Sequence, residues 1–273
     1  MNKLKILVVE GNTKEENVNF NQAGCASQSE NFSEHIKMHK PDCEVDIIEP
    51  ADNSSMEKII SSLKKYNGVI LTGSTLRIND NSEEVKKHIE FTRRCFEHTN
   101  YIYAACWGLQ VSVAAAGGKC RVATNGANTG IAQDVMLTDV GIKHRLYKSK
   151  PKKFNAPAFN FDEVEIPPKN SVLLASTSVN KFSAIHFTAG KSEVWGLQYH
   201  PEIPYSYMIR LLKHRKKRLI DNKNFENENE LNKYIDLITK EDLITSDNSR
   251  TLELKNWLDH IKESKFSVSI GKL

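Results

Sequence analysis

Cys106 stands in the stretch Tyr101-Ile102-Tyr103-Ala104-Ala105-Cys106-Trp107-Gly108-Leu109-Gln110. An apolar run ends at the cysteine, small residues precede it, and a glycine follows two positions later. An alanine-rich segment with helical character, Val111 to Ala116, comes next. This is the pattern of a nucleophile elbow between a strand and a helix, with sulfur in place of oxygen. Such a turn holds the side chain clear of the sheet in a strained backbone geometry, and needs small residues two positions before and two after. Ala104 and Gly108 meet that need. The free N–H groups and positive end of the following helix favour a thiolate and bind a developing oxyanion. Cys25, Cys43, Cys95 and Cys120 have no such setting and read as small buried hydrophobes.

A thiol nucleophile needs a base, and the base needs an orienting group. Gly196-Leu197-Gln198-Tyr199-His200-Pro201-Glu202 offers both. An apolar strand, Val194 to Tyr199, runs into His200, and the proline that follows disfavours the helical region at the histidine. Glu202, two residues on, can bring its carboxylate to one imidazole nitrogen and leave the other facing the thiol. The remaining eight histidines lack this combination. His35 and His39 have HxxxH spacing, and His260 and Glu263 have HxxE spacing. Neither pair has a third ligand nearby, so both read as solvated helix faces, and no metal site is expected. Glu10-Gly11-Asn12 after the first apolar run lacks dinucleotide-loop spacing, so no cofactor is expected either.

The elements that must position these residues follow from periodicity. Leu4–Val9, Val45–Ile48, Val69–Leu71 and Tyr101–Ala105 are short apolar runs, as parallel strands buried on both faces should be. Between them, Met56, Ile59, Ile60 and Leu63 share a helical face, as do Val85, Ile89 and Phe96, the latter behind Asn81 and Glu84 at capping-box spacing. The alternation predicts an α/β fold: an open, mostly parallel central sheet with helices on both faces. Beyond about residue 120, Val135–Leu137, Phe161–Val164, Val172–Ala175, Ala184–Phe187 and Val194–Tyr199 read as antiparallel strands added to it. From Tyr205 the chain turns helical and polar, with Asn222 to Glu230 as a loop and Leu254, Trp257, Leu258 and Ile261 as one apolar helical face. That face is expected to pack on the core, although a homodimer could also use it.

On these two motifs the chain resembles the class I (triad-type) glutamine amidotransferases. Their G-x-C-x-G-x-Q elbow stands here as Ala104 to Gln110, and their G-x-Q-x-H-P-E strand end as Gly196 to Glu202. The resemblance covers about residues 4 to 210 and is strongest to free-standing proteins like the amidotransferase domain of GMP synthase. It implies a domain over 1–210 and a helical extension over 211–273. It also implies catalysis by Cys106, His200 and Glu202, with hydrolysis of the side-chain amide of glutamine through a γ-glutamyl thioester. The oxyanion donors would be the N–H groups of Trp107 and Gly73, and Gln110 would contact the substrate with Thr129 and Gly130. Three features depart from the pattern. Ala104 replaces a glycine, Thr72-Gly73 replaces a glycine pair, and Asn160-Phe161-Asp162 replaces a histidine–aspartate pair. The substrate could therefore be another γ-glutamyl amide, amine or peptide conjugate. A non-catalytic regulatory module on the same fold is the reading from a different class.

Composition bounds the rest. In 273 residues, 38 Lys and Arg stand against 34 Asp and Glu, too balanced to argue for a nucleic-acid partner. Lys213 to Arg218 reads as a solvated basic helix face without interleaved aromatics. No stretch approaches the ~20 apolar residues of a membrane helix, so no membrane partner is expected. Five cysteines without a CxxC pair argue against a disulfide framework and for a reducing cytoplasm. The extension is too short for a synthetase domain, so any acceptor of released ammonia would be a separate synthetase chain.

Overall fold

The computed structural model describes residues 3–52 and 56–270, with side chains to residue 264. The first half of the chain alternates strands with helices. Its elements are β1 (Lys5–Val9), α1 (Lys14–Gln22), α2 (Gln28–His39), β2 (Glu44–Ile48), α3 (Glu57–Ser62), β3 (Gly68–Leu71), α4 (Glu83–His98), β4 (Tyr101–Ala105) and α5 (Trp107–Ala115). Strands then dominate: β5 (Lys119–Val122), β6 (Asn128–Leu137), the short α6 (Asp139–Lys143), β7 (Lys153–Asn160), β8 (Asp162–Ile166), β9 (Val172–Ser176), β10 (Ala184–Ala189) and β11 (Ser192–Leu197). Five helices finish the chain: α7 (Tyr205–His214), α8 (Lys216–Asp221), α9 (Glu228–Ile244), α10 (Asp247–Arg250) and α11 (Leu252–Ile270).

Nine strands form one sheet in the order β2-β1-β3-β4-β11-β10-β9-β6-β7. The half from β2 to β11 is parallel, and the half from β11 to β7 is antiparallel. Strand alternation divides the core between two faces. Ile6, Val8, Ile70, Tyr103 and Ala105 point to the side covered by Phe32 and Ile36 of α2 and by Leu254, Trp257, Leu258 and Ile261 of α11. Leu7, Val9, Val69, Leu71, Ile102 and Ala104 point to the side covered by Phe91, Cys95 and Phe96 of α4 and by Leu109 and Val113 of α5. The C-terminal helix is thus a core layer, and Leu254, Trp257, Leu258 and Ile261 are fully buried.

Local structure departs from the sequence reading at several points. The segment predicted as Phe161–Val164 becomes β8, which leaves the main sheet and pairs with β5 in a separate two-stranded ribbon. α4 is capped by Ser82, whose hydroxyl accepts from Val85 N–H, rather than by an Asn81–Glu84 box. Asn81 instead takes a positive φ of 58° in the preceding turn. The loop expected over Asn222–Glu230 ends early, because Asn227 caps α9 by accepting from Glu230 N–H. β11 ends at Leu197, and Gln198 and Tyr199 already bend toward His200. α7 runs unbroken across residues 210 and 211, where the helical extension is expected to begin. Among the described residues no helix is long and apolar enough to cross a membrane.

Candidate active site

β4 delivers Cys106 to the C-terminal edge of the sheet, and α5 departs from it immediately. The cysteine takes φ 50° and ψ −104°, a backbone state that costs an L-residue about 1–3 kcal/mol and persists only where its surroundings enforce it. Two contacts enforce it. Cys106 N–H donates to Leu197 O of β11 at 2.7 Å, and Gly108 N–H donates to Thr72 O at 3.0 Å. A Cβ on Gly108 would lie 2.1 Å from Leu71 O, so only glycine lets α5 start this close to β3. Ala104, in the place of the family's first elbow glycine, is fully buried in register with Gly196 of β11.

His200 follows β11 on a turn whose N–H donates to Pro157 O of β7 at 2.7 Å. Its Nδ1 bonds Glu202 Oε1 at 2.7 Å, and the imidazole also interacts with the Cys106 side chain. All three residues are buried: Cys106 and His200 are each 4% exposed, and Glu202 is fully enclosed. Burial alone would depress the imidazolium, but the Cys106 and Glu202 charges outweigh it and push His200 up to about 10. Gln198 Nε2 approaches the sulfur at 3.6 Å. By contrast, burial pushes the Cys43 and Cys120 thiols up to about 11 and 12, as befits cysteines that only fill space.

The turn bearing His200 is braced by the C-terminal segment. Arg250 donates to Pro201 O, to Asp247, and to His35 Nε2 of α2, the last at 3.1 Å. Tyr199 OH bonds Tyr147 OH at 2.8 Å and Glu253 Oε1 at 2.9 Å, while Lys150 pairs with the other Glu253 oxygen at 2.8 Å. His39 Nε2 meets Thr251 Oγ1 at 2.7 Å. His260 is stacked on Trp195 and bonded to Glu193 at 2.9 Å. The HxxxH and HxxE histidines are therefore not on solvated helix faces, since they tie α2 and β11 to the C-terminal helices. Among the described residues no group of three or more His, Cys, Asp and Glu side chains could hold a metal ion.

Gly73 lies on the loop after β3, beside the imidazole. A Cβ there would sit 2.4 Å from His200 Cε1 and 3.2 Å from Gln28 Oε1. Thr72, where the family has a glycine, locks this loop: its hydroxyl accepts from Gly11 N–H at 2.9 Å. Among the described residues neither the Gly73 nor the Trp107 amide donates to a protein group. Gln110 is one turn along α5, lines the same cleft, and donates to Asp162 O at 3.0 Å.

Thr129 and Gly130 do not join them. Both lie within β6, opposite Phe159 and Ala158 of β7. A Cβ on Gly130 would meet Ile238 Cδ1 at 2.8 Å and Leu212 Cδ1 at 3.0 Å, so its open side faces α9 and α7. The cleft is lined here by Phe159, Asn160, Phe161 and Asp162, at the junction of β7 and β8. Asp162 closes this wall on the opposite loop through a bidentate pair with Arg77, both contacts at 2.5 Å.

The cleft also draws on residues without a motif signal: Phe20 of α1, Gln28 of α2, and Ile203, Met208 and Arg215 from beyond the histidine turn. Arg215 departs from the solvated basic face that its sequence neighbours suggest. Its guanidinium lies over the Phe20 and Phe159 rings and pairs with Glu16 at 3.1 Å. Lys213, Lys217 and Arg218 are exposed.

Comparison with known proteins places the chain in a family. The family model for glutamine amidotransferase class-I matches residues 27–213. A γ-glutamyl-L-1-hydroxyisopropylamide hydrolase from Pseudomonas sp. is 30% identical over 281 aligned positions, covering 96% of this chain and 94% of that protein. A subunit of GMP synthase (glutamine-hydrolysing) from Methanocaldococcus jannaschii is 27% identical over 156 positions, covering 56% of this chain and 74% of that protein. In fold, the chain is similar to a glutamine amidotransferase from Thermotoga maritima, with a TM-score of 0.69 at 15% identity over 96% of this chain and 99% of that one. The chain belongs to the class I glutamine amidotransferase family.

Proposed function

We propose that this protein hydrolyses the γ-amide bond of γ-glutamyl compounds, with Cys106 as nucleophile, His200 as acid and base, and Glu202 as the group that orients the imidazole. The observation that carries this reading is a single constellation. A cysteine held at positive φ on a strand–helix elbow lines one cleft with a buried histidine whose Nδ1 is bonded to a carboxylate at 2.7 Å.

The Cys106 thiolate attacks the γ-carbonyl carbon, and a C–S bond forms as the carbonyl π pair moves to oxygen. That oxyanion meets the Gly73 and Trp107 N–H groups, which have no competing acceptor among the described residues. On collapse the C–N bond breaks, and the His200 imidazolium gives its proton to the departing nitrogen. Ammonia or an amine leaves, and a γ-glutamyl thioester remains. Water then attacks the thioester carbon, losing a proton to His200, and expulsion of the thiolate completes glutamate.

The leaving group is an amine bearing an organic substituent. Phe20, Phe159, Ile203 and Met208 line the cleft together with Cys106 and supply apolar surface for a substituent that ammonia lacks. Likeness along nearly the whole chain to a hydrolase named for a γ-glutamyl amide, through the 211–273 extension, supports the same reading. Glutamine hydrolysis feeding a separate synthetase chain is the second reading, favoured by the partial likeness to the GMP synthase subunit. In either case a reducing, cytoplasmic setting suits a chain whose five cysteines are all unpaired.

The test is a substrate panel on purified protein with Cys106→Ser as the blank. Glutamate and amine release from γ-glutamyl alkylamides, faster than ammonia release from glutamine, is the expected result. Preference for glutamine would favour the second reading. Turnover equal to the blank on every substrate would leave a non-catalytic module.

A further inference from the structure

Gln28 is the first residue of α2, and its position is fixed on both sides. Ser27 and Glu30 form a reciprocal capping box, with Ser27 N–H to Glu30 Oε2 at 2.7 Å and Glu30 N–H to Ser27 Oγ at 3.2 Å. One residue on, Ser29 N–H donates at 2.8 Å to Oε2 of Glu10, a carboxylate wholly buried at the end of β1. The same carboxylate accepts from Asn12 N–H at 3.0 Å. The start of α2 is thus bolted to the C-terminal edge of the parallel sheet, where the cleft opens.

From this anchored position the Gln28 side chain lines the cleft with Cys106 and His200. It is 4% exposed, and its Oε1 has no hydrogen-bond partner among the described residues. A buried amide oxygen left without a donor costs about 1–3 kcal/mol, so a native structure that keeps one usually has a partner for it that arrives later. Its direction indicates which partner. The position a Gly73 Cβ would occupy is 3.2 Å from Gln28 Oε1, 2.4 Å from His200 Cε1 and 3.4 Å from His200 Nδ1. Gln28 therefore stands beside the Gly73 loop, which packs against Cε1 of the His200 imidazole. Trp107 and Gln110, by contrast, belong to the helix that leaves from Cys106. An imidazole that hands its proton to a departing nitrogen must face that nitrogen, so its side of the cleft is the leaving-group side.

We propose that Gln28 is a specificity-determining residue whose carboxamide oxygen accepts the N–H of the scissile amide and so selects a nitrogen leaving group. The inference rests on the amide-hydrolase reading above and extends it to one atom of the substrate. In the planar amide the nitrogen of a γ-glutamyl amine carries a single N–H. As the tetrahedral intermediate collapses, His200 adds a proton to that nitrogen, the C–N pair becomes its lone pair, and the N–H already held by Gln28 becomes more acidic. The hydrogen bond strengthens along the reaction coordinate, which is the condition for it to raise the rate. An ester offers an oxygen with lone pairs at the same place and gains nothing.

The experiment uses a matched pair of substrates, γ-glutamyl ethylamide and γ-glutamyl ethyl ester, with glutamate release followed for both and Cys106→Ser subtracted as blank. Gln28→Met keeps length and removes the acceptor. It is expected to lower kcat/KM for the amide roughly 10- to 100-fold while the ester stays within about 3-fold, so the amide-to-ester ratio collapses. Gln28→Glu retains an acceptor, and its ratio is expected to hold or rise. Misfolding of either variant would depress both substrates together and leave the ratio unchanged. An unchanged ratio in Gln28→Met, with its ester turnover within about 3-fold of wild type and the wild-type chain active on both substrates, overturns the role of Gln28 and leaves the hydrolase reading standing. A wild-type chain that cleaves neither substrate, or the ester alone, overturns the hydrolase reading and this inference with it.

Discussion

The turn that carries Cys106 is built from neighbours in sequence. Strand, nucleophile, glycine and helix follow one another within ten residues, and the strain at φ 50° is held by adjacent strands of the parallel sheet. The turn that carries His200 has no such self-sufficiency. Pro201 is held by Arg250, Tyr199 by Glu253 and Tyr147, and the His200 backbone N–H by Pro157. One half of the constellation is a local motif, whereas the other is a loop clamped by the far end of the chain. A nucleophile must be held in a strained turn at the edge of the sheet, which an elbow gripped by adjacent strands achieves. A general base must be aimed within a few tenths of an ångström of another element, which only cross-chain contacts achieve.

The comparison can be broken most severely at the reacting atoms. Cys106→Ser is expected to lower kcat/KM by at least about 10³-fold with the melting temperature little changed. Activity above about a tenth of wild type would remove the thiol mechanism. His200→Ala is expected to cost roughly 10²–10⁴-fold, measured on the same substrate.

A steric insult separates the elbow from its chemistry. Gly108→Ala places a methyl group 2.1 Å from Leu71 O, a backbone atom that cannot swing away. We expect a loss of about 10²-fold in activity together with about 2–4 kcal/mol of stability, read from denaturant melts. Wild-type behaviour would mean that the elbow is softer than its backbone geometry implies.

Glu202→Gln sharpens the comparison through pH. His200 is raised from 6.5 to about 10, so the folded state binds an extra proton between those values. The stability this contributes is fully present below pH 6.5 and is lost as pH rises through 10. Removing the Glu202 charge should move the alkaline limb of the kcat/KM profile to lower pH. It should also narrow the wild-type advantage in melting temperature as pH climbs across that window. Identical alkaline limbs in the two proteins would show that Glu202 does not support the imidazolium.

The smallest effect is expected in the clamp. Arg250→Met leaves the elbow untouched and releases the Pro201 carbonyl, His35 and Asp247. We expect about 2 kcal/mol of lost stability and roughly a 10-fold fall in kcat with little change in KM. Loss of stability with full kcat would show that the clamp only holds α10 and α11 in place.

Much of this was legible in the residues themselves. The parallel strands β1, β3 and β4 are continuous apolar runs because both faces are buried, and such runs cannot hide in a sequence. The nucleophile elbow is equally visible, because its constraints are steric and span only a few positions. Gly196 to Glu202 reads as a strand end with a base because proline and glutamate follow the histidine at fixed offsets. Less legible was everything decided by sheet order. β8 has the apolar content of a sheet strand, yet it pairs with β5, since β7 already occupies the sheet edge. Thr129 and Gly130 pair with Phe159 and Ala158 of β7, but Gly130 opens toward α7 and α9.

The amino-acid sequence by itself determined the class of fold and marked the two motifs proposed to carry nucleophile and base, because each rests on short-range sterics or on a two- to four-residue repeat. Tertiary structure alone decided which side chains complete the cleft. Gln28 stands beside Gly73 and His200, Arg77 grips Asp162, and Arg215 lies between two rings. Each of these joins residues distant along the chain, with no periodicity linking them. Their meeting follows from the order in which nine strands pack, a long-range choice that no local pattern encodes.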